Sequence, residues 1–520
     1  MFTKKLNLFL FIFIFFGSGL FAQNYKISNI DYEIKDCGLP FFGVTRKYAL
    51  EKEVPVDFER VFTSKEELDS YIEDYKLRLN NTRAFETVEV SYKIENESEV
   101  LLSVKLTDSF HMLAIPYGRY DSNKGIVFKL KYKDTNFLGT LSPLTTDLNF
   151  IIEQEDETSN PDYKFGFNFN YDYPFKLGAF DAKWTNDHAF SYTIGDSSPE
   201  WNLNTGLSFS LPYDNFSLVF DFTQSFAHNY DYSSFDDEYY FTEKAQFSIP
   251  INVYTIENWG NIVYKPYITF LANWDYNGIE ITNTNLSSPI VSLSHSISTS
   301  RVNWINNYRN GLDLNLINSF EYNFQRNIMY PSITADLKFY KGFEFFEGNY
   351  LNRIGISSNI YAFAYFMDYS SNPYLNSDGK KIGEKLRGIR DEQLYSDANL
   401  GNACTVPAAI VLNLDMPFRL FETDFQWSFL KYLNFDLQIS PFFDAALTYN
   451  KYTNKLFDPK DGFYTAGIEV LVYPKKLSSF TVRGSLGVDL GQKLFSNQIN
   501  NEWRRNVSPY EIFIGVGLHY

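Results

Sequence analysis

Cysteine is almost absent from the 520-residue chain, which contains only Cys37 and Cys404. Two cysteines cannot form the disulfide framework that stabilises small secreted domains. Histidine is also scarce, at five residues, and no cluster has the spacing of a metal site. His295 lies between two serines, but no nucleophile motif, partnered acid or phosphate-binding glycine loop accompanies it. We therefore expect no enzymatic activity, no cofactor and no metal.

Positive charge is in deficit, with 46 Lys and Arg residues against 63 Asp and Glu residues, for a net charge of −17. A nucleic-acid partner requires a basic surface, so we expect none. After residue 22 no apolar run is long enough to cross a bilayer as a helix. Yet the chain has 51 Phe and 39 Tyr residues, more than a soluble protein could readily bury. A transmembrane β-barrel places such residues on its lipid face and in its interfacial girdles.

The first 22 residues have the order of a secretory signal peptide. Lys4 and Lys5 precede an apolar run, Leu6–Phe16, and small residues then lead to Ala22. The alternative is a membrane anchor, but the run is shorter than the roughly 20 residues that a spanning helix needs. No cysteine follows the run, which argues against a lipoprotein. We expect cleavage near Ala22 and export of residues 24–520.

Residues 24–108 predict a small α+β domain. A strand is expected at Tyr25–Ile34, and a first helix around Thr45–Lys52. The clearest helix is Phe62–Leu79, with Ser64 as its N-cap and Glu67 completing a capping box. Two alternating strands follow. Their apolar positions are Val88, Val90, Tyr92 and Ile94 in one strand and Val100, Leu102, Val104 and Leu106 in the other.

From 109 to 520 the pattern is one alternating strand after another, which predicts an outer-membrane β-barrel. The clearest case is the last strand, whose outer row would be Tyr510, Ile512, Ile514, Val516, Leu518 and Tyr520. A soluble β-sandwich also alternates, but it buries its apolar face in a finite core. At roughly 25 residues per strand and connection, the segment holds about sixteen antiparallel strands. The range 280–365 is hard to divide and leaves eighteen open.

Four segments resemble the BamA/TamA family of outer-membrane assembly and translocation barrels. Arg83–Val88 is similar to a turn of the periplasmic POTRA domain, although the usual glycine is missing. Asp134–Thr140 resembles the end of an early barrel strand, and Leu386–Ile389 resembles the arginine–glycine motif of the sixth extracellular loop. Phe442–Ala446 resembles a later strand of the family, with Ala446 in place of glycine. The resemblance implies one POTRA domain at 24–108 and a sixteen-stranded barrel with an inward-folded loop around 368–404.

An anchor for that loop follows from strand parity together with the resemblance. Asp415 and Asp444 fall on the lumen side of two neighbouring predicted strands, and Arg387 lies in the loop beside Gly388. A guanidinium folded into the lumen would bridge the two carboxylates. The alternative is a solvated loop arginine with two ordinary lumen acids. Arg390, three residues on, is expected to tolerate substitution.

Two further features belong to the predicted barrel. Pro116 in the first strand and Gly515 and Gly517 in the last predict a weak seam where the barrel closes. The C-terminal residues Val516, Leu518 and Tyr520 are expected to act as an insertion signal.

The expected function is an insertase or translocase in the bacterial outer membrane. Its partners would be unfolded outer-membrane client proteins, the lipid bilayer and periplasmic or lipoprotein accessory factors. The POTRA-like domain would lie in the periplasm and capture clients by strand addition. Alternatives are a passive pore or structural barrel, and a transporter that secretes one dedicated partner. The clients themselves cannot be identified from the sequence.

We expect Cys37 and Cys404 not to form a disulfide. Cys37 would lie in the periplasm and Cys404 near the outer face, and a bilayer core of about 30 Å separates the two compartments. Mass spectrometry of the native protein after non-reducing proteolysis would detect a linked peptide, and that peptide would contradict the predicted topology.

Overall fold

The computed structural model describes residues 24–36, 44–96, 98–121, 125–153, 161–228, 239–256, 260–275, 286–348, 350–369, 379–389, 405–427, 433–476, 480–499 and 509–519. The predicted signal peptide, both cysteines, Arg390 and Tyr520 lie outside these ranges. The chain divides into two compact units, Met1–Ser109 and Phe110–Tyr520. Within the described ranges, no helix is both long and apolar enough to cross a membrane.

The first unit is a four-stranded sheet with two helices. In chain order its elements are β1 Tyr25–Lys35, α1 Lys47–Glu53, β2 Val61–Phe62, α2 Lys65–Asn81, β3 Phe85–Glu95 and β4 Glu99–Asp108. The strand order is β2-β1-β4-β3, and only the β1–β4 pair is parallel. Because β4 is central, its alternate residues from Val100 to Leu106 are almost fully buried. The buried face of α2 consists of Leu68, Tyr71, Ile72, Tyr75 and Leu79.

Helix α2 begins at a capping box. The Ser64 hydroxyl accepts a hydrogen bond from the Glu67 N–H at 3.2 Å. The Glu67 carboxylate accepts from the Thr63 N–H at 2.9 Å and from the Arg60 guanidinium at 3.0 Å. The Glu67 carboxylate therefore bonds to the backbone of Thr63, the residue before the N-cap, and not to that of Ser64. These donors hold the pKa of Glu67 below its usual value, the Thr63 N–H having the larger effect.

We expect Ser64→Ala to destabilise the start of α2 by about 1 kcal/mol. The carboxylate of Glu67 stabilises the folded state because its folded pKa is lowered. This contribution is present above the unfolded pKa of about 4.3 and is lost as the pH falls through the folded pKa. The protection factors of the α2 amides, which correct for the pH dependence of intrinsic exchange, should therefore fall in Ser64→Ala at neutral pH and in the wild type on acidification. Exchange in Glu67→Gln should respond less to pH, and an unchanged response would contradict this role.

The second unit is a closed β-barrel. Its wall is formed by strands β5 to β18 and β21 to β27, with the last strand, β27, beside β5. The first half comprises β5 Met112–Asp121, β6 Gly125–Asp134, β7 Leu144–Glu153, β8 Asp162–Leu177, β9 Phe180–Thr193, β10 Glu200–Pro212, β11 Ser217–His228, β12 Tyr239–Ser248, β13 Ile251–Ile256 and β14 Gly260–Trp274.

The second half comprises β15 Ile290–Ile305, β16 Tyr308–Asn323, β17 Ile328–Glu344, β18 Arg353–Tyr365, β21 Ala408–Asp415, β22 Phe418–Glu422, β23 Phe435–Asn450, β24 Lys455–Leu456, β25 Phe463–Pro474, β26 Val482–Asp489 and β27 Tyr510–Val516. A one-turn helix, α3 Leu490–Lys493, follows β26. The described ladders between neighbouring wall strands are antiparallel.

Eighteen of the twenty-one barrel strands cross the described wall separately. Strand β13 continues β12 past Pro250, and both pair with β14. Strand β22 likewise continues β21 past Pro417, and both pair with β18. Strand β24 is a two-residue extension paired with the end of β23. The described wall thus has eighteen strands, the larger of the two numbers that the sequence left open, rather than sixteen. Connections as short as two residues, at 178–179 and 306–307, allow the same length of chain to form more strands.

The outer face of the wall is an apolar belt. Large apolar side chains remain 38 to 62% exposed on strands all around the barrel. Examples are Phe128, Leu148, Phe165, Phe190, Leu203, Phe220, Ile268, Leu293, Phe320, Ile356, Leu414, Ile468, Leu486 and Ile512. Soluble proteins rarely expose continuous apolar surface on this scale, whereas a lipid-facing wall requires it. Closure of the sheet also excludes the β-sandwich.

The C-terminal end corrects one prediction. The outer row of β27 includes Tyr510, Ile512 and Ile514, all at least half exposed. The strand ends at Val516, and Gly517 adopts a φ of +100° that turns the chain. Leu518 then lines an internal cavity with His519. The prediction that Leu518 continues the outer row is therefore wrong, because the extended backbone that strand parity assumes stops two residues earlier.

Candidate functional site: a loop anchored inside the barrel

The loop between β18 and β21 enters the barrel and is anchored there. Its described part begins with β19 Lys380–Lys381, which pairs with β20 Thr405–Val406 to form a two-stranded clasp. A 3-10 turn at Gly383–Lys385 follows. Two residues after this turn comes the predicted anchor, Arg387, whose side chain is only 4% exposed.

The structure brings Arg387 together with both predicted carboxylates. Asp444, on β23, accepts from the Arg387 Nε at 3.0 Å, from Nη2 at 2.6 Å and from the Arg387 backbone N–H at 2.9 Å. Asp415, at the end of β21, accepts from Nη1 at 2.5 Å. The bidentate bond to Asp444 uses the planar fork that distinguishes arginine from lysine. The Asp444 side chain is fully buried, so this pair is shielded from bulk water.

Three further wall residues complete the surroundings of the guanidinium. Glu469 on β25 lies 3.3 Å from Nη1, and Arg483 on β26 donates to the same Glu469 oxygen at 3.3 Å. The Phe442 ring lies beneath the guanidinium, with its centroid 3.9 Å from Cζ. A cation stacked on an aromatic face in a desolvated site gains additional stabilisation. The loop is thereby tied to β21, β23 and β25 through a single side chain.

Gly388 brings the loop backbone into contact with the wall. Its φ is +82°, and a Cβ there would approach the Val488 nitrogen to 2.9 Å. On the wall side, a Cβ on Gly487 would approach the Gly388 Cα to 2.6 Å. The Gly388 N–H donates to Glu511 of β27 at 2.6 Å. Glycine is thus required on both sides of this contact, and the loop also reaches the last strand of the barrel.

An apolar cluster supports the same loop. Ile382, Leu386 and Ile389 of the loop are at most 3% exposed and pack inside the barrel. Their neighbours are Tyr361, Phe363, Val406, Ala409, Val411, Ala446 and Phe463. Lys385 adds an ammonium 4.0 Å from the Tyr361 ring centroid, and its carbonyl accepts from Asn413 at 2.7 Å. The loop therefore has its own hydrophobic core in a lumen that is otherwise polar.

Sequence reasoning did not identify several of these residues. Glu469 and Glu511 lie on the inward parity of their strands, so the same alternation that indicated Asp444 could have indicated them. Phe442 also has the inward parity of Asp444. The apolar side chains of the loop could not have been found this way. Large apolar groups were assigned to the lipid face, and strand parity does not predict where a loop packs.

The predicted seam residues lie where the barrel closes. Pro116 is the fifth residue of β5, opposite Leu130 of β6, and it supplies no backbone donor. Gly515 lies in β27, where a Cβ would come within 2.5 Å of the Phe513 ring. Gly517 lies just beyond the strand, and its N–H donates to Thr481. Strand β27 has seven residues against sixteen in β15 and β16. Short closing strands provide fewer hydrogen bonds to hold the barrel shut.

Comparison with known proteins gives structural similarities only. No protein-family model and no curated protein matches the chain. The chain is similar to BamA from Haemophilus ducreyi lacking POTRA domains 1–3, at 16% identity, with 94% of this chain and 83% of that chain covered and a TM-score of 0.35. It is similar to CdiB from Acinetobacter baumannii at 10% identity, 95% and 74% coverage and a TM-score of 0.46. For CdiB from Escherichia coli the values are 9%, 94%, 75% and 0.45.

We expect Arg387→Ala to release the loop from the lumen. Removing one partner of a desolvated ion pair costs roughly 3–5 kcal/mol, because the remaining charge stays buried. Arg387→Lys should restore docking only in part, since an ammonium cannot make the bidentate bond. Docking can be measured as protection of a cysteine introduced at Ile389 against a membrane-impermeant maleimide.

Arg419→Ala is the matched control for loop docking. Arg419 forms an equally buried pair with Asp436, at 5% and 1% side-chain exposure, and no contact joins it to the described part of the loop. The cysteine should therefore stay protected in Arg419→Ala. Equal labelling in the two variants would show that Arg387 does not hold the loop.

Gly388→Ala should undock the loop without changing any charge. The added methyl group would occupy a left-handed backbone position and press against β26. Labelling of the Ile389 cysteine should rise towards the level of Arg387→Ala. Full protection in Gly388→Ala would rule out the close backbone contact.

Proposed function

We propose that this chain is an outer-membrane barrel of the BamA/TamA type that inserts client proteins into the membrane or moves them across it. The observation that carries the proposal is the loop anchored inside the barrel by Arg387. One arginine bonded to carboxylates on neighbouring wall strands, with a glycine contact beside it, matches what the sequence resemblance implies. The exposed apolar belt supports placement in a lipid bilayer.

The first unit supports a role in client capture. Among the described strands, β3 pairs only with β4, and β1 pairs with β2 only through Tyr25 and Lys26. A strand with one unpaired edge can accept an extended peptide by backbone hydrogen bonding. We propose that this unit is a POTRA domain that lies in the periplasm and receives unfolded clients there.

The seam supports an insertion route between β5 and β27. Client strands could pair with the short closing strand while their apolar side chains enter the lipid. Insertion would require no nucleotide hydrolysis, because burial of apolar client surface in the bilayer would supply the free energy. A passive pore is less well supported, because an open channel does not require a buried loop with its own apolar core.

Depletion of the protein should lower the amounts of other β-barrel proteins in the outer membrane. A quantitative census of that membrane before and after depletion tests this. A broad loss would indicate general assembly, and loss of one or a few proteins would indicate dedicated clients. An unchanged outer-membrane proteome would contradict the proposal.

Closing the seam should block client insertion. Cysteine pairs scanned along β5 and β27, oxidised to a disulfide in the folded protein, would prevent the two strands from separating. Insertion of a test barrel into proteoliposomes should stop on oxidation and recover on reduction. Cysteine pairs between β15 and β16, which form an uninterrupted ladder of sixteen pairs, are the control. Equal activity of the closed and open seams would remove lateral opening from the mechanism.

A further inference from the structure

The tip of the β15–β16 hairpin, residues 302–310, extends beyond the ladders that join its two strands to the barrel wall. The pairing of β15 with β14 runs only to Val263 and Ser298, and that of β16 with β17 stops at Gly311 and Tyr340. Beyond these points the two strands pair with each other as far as Ile305 and Tyr308. Gly311 has a φ of +140°, and a Cβ there would collide with the Arg301 carbonyl. The hairpin therefore bends where only glycine fits.

The bent tip reaches strands that are not its neighbours. Arg419 of β22 donates to the Asn306 carbonyl at 3.1 Å, and Gln438 of β23 donates to the Asn307 carbonyl at 3.4 Å. The Asn307 side-chain amide donates to Asp436 of β23 at 3.2 Å. Strands β17 and β18 separate β16 from β22 along the wall. Since Asp436 and Gln438 are inward-facing and 1% exposed, the tip must reach them through the lumen.

The wall residues that bind the tip form a preorganised polar site. Arg419 makes a bidentate bond to Asp436, at 3.2 and 2.8 Å, and this pair is buried beneath the turn. Asn306 and Asn307 both have positive φ, +52° and +64°, which is the conformation of a tight two-residue hairpin turn. The site thus offers two donors to the carbonyls of such a turn and one carboxylate to its side-chain amide.

A recess in the wall beside this site accommodates Tyr308. The ring is 5% exposed, and its hydroxyl donates to the Arg353 carbonyl at 3.2 Å. A Cβ on Gly342 would lie 3.0 Å from Tyr308 Cβ, and a Cβ on Gly355 would lie 2.9 Å from its ring. The absence of side chains at these two wall positions therefore provides the space for the ring.

The tip and the anchored loop enter from opposite ends of the barrel, because three strands, β16 to β18, separate the two connections. A small cavity of about 30 Å³ lies between them. Trp304, Tyr308 and Arg309 line it from the tip, and Asp415, Glu469 and His519 line it from the side of the loop anchor. The lumen thus contains a loop from one end and a hairpin tip from the other.

We propose that Arg419, Asp436, Gln438 and the Tyr308 recess form a turn-binding site that closes the lumen when this chain's own hairpin tip occupies it. The ligand class is a left-handed two-residue β-turn with asparagine side chains followed by an aromatic residue. When the tip is displaced, the site takes such a turn in trans. That the turn comes from a client hairpin rests on the proposed function.

The first test measures closure by ion conductance of the purified full-length protein in planar lipid bilayers. Replacing Val302–Gly311 with an Asn-Gly turn would end the hairpin within the wall. This variant should conduct steadily, whereas the wild type should stay mostly closed. If the shortened variant migrates as a folded, heat-modifiable barrel and still conducts like the wild type, the tip does not close the lumen.

If the shortened hairpin fails to fold, single substitutions test closure of the lumen by the same conductance measurement. Arg419→Ala should raise the open fraction by about tenfold or more, the effect expected for loss of the hydrogen bond from a charged donor to the Asn306 carbonyl. Asn307→Gly keeps the positive φ but removes the bond to Asp436, so it should raise the open fraction less. Lys338→Ala removes a wall cation that is 27% exposed and paired with Asp313, and it should have no effect. Equal conductance in all three variants would overturn the proposal.

The second test measures binding in trans. The probe is a synthetic peptide of residues 302–311, cyclised through added terminal cysteines. It should block the conductance of the shortened variant, and Arg419→Ala in that background should abolish the block. No block, or a block independent of Arg419, would show that the site does not bind a turn in trans. Neither readout involves client assembly, so a failed insertase would not affect the result.

Discussion

The structure depends on closure of one antiparallel sheet. In a lipid environment no water can satisfy backbone N–H and C=O groups, so each wall strand must pair on both sides. Closure also separates an apolar outer face from a polar interior. Charged groups that would be screened at an ordinary surface are enclosed in that interior. The strong ion pairs of Arg387 and Arg419 exist because the wall keeps bulk water away from them.

Two insertions use this enclosed interior in a similar way. Each brings one chain segment against the inner wall with an arginine–aspartate pair, and each has glycines where backbone or ring meets the wall. They differ in which partner carries the arginine. In the loop the arginine belongs to the insertion, whereas in the hairpin site both members of the ion pair belong to the wall, and the insertion bonds to them only through neutral amides and carbonyls. The hairpin can therefore leave without uncovering an unpaired charge.

Much of this could be predicted from the sequence, and the limits have physical causes. Period-two alternation indicated the barrel and the inward side of Asp415 and Asp444, and the family resemblance then placed them near Arg387. Alternation reports only which face a residue lies on. It could not show that β15 and β16 bend inwards at Gly311, which is why the range 280–365 was hard to divide. Alternation also failed at Leu518, where the chain turns out of the strand. It did not predict that Ile382 and Leu386 pack inside a polar lumen.

The burial of the Arg387 pairs has a consequence for ionic strength. Salt screens exposed charges beyond about 8 Å at physiological concentration, but it has little access to groups that water cannot reach. The loop should therefore stay docked in high salt. Surface pairs of the first unit, such as Lys26 with Glu59 at 48 and 91% side-chain exposure, should weaken under the same conditions. Salt concentration thus offers a way to perturb the exposed unit while the interior of the barrel remains unchanged.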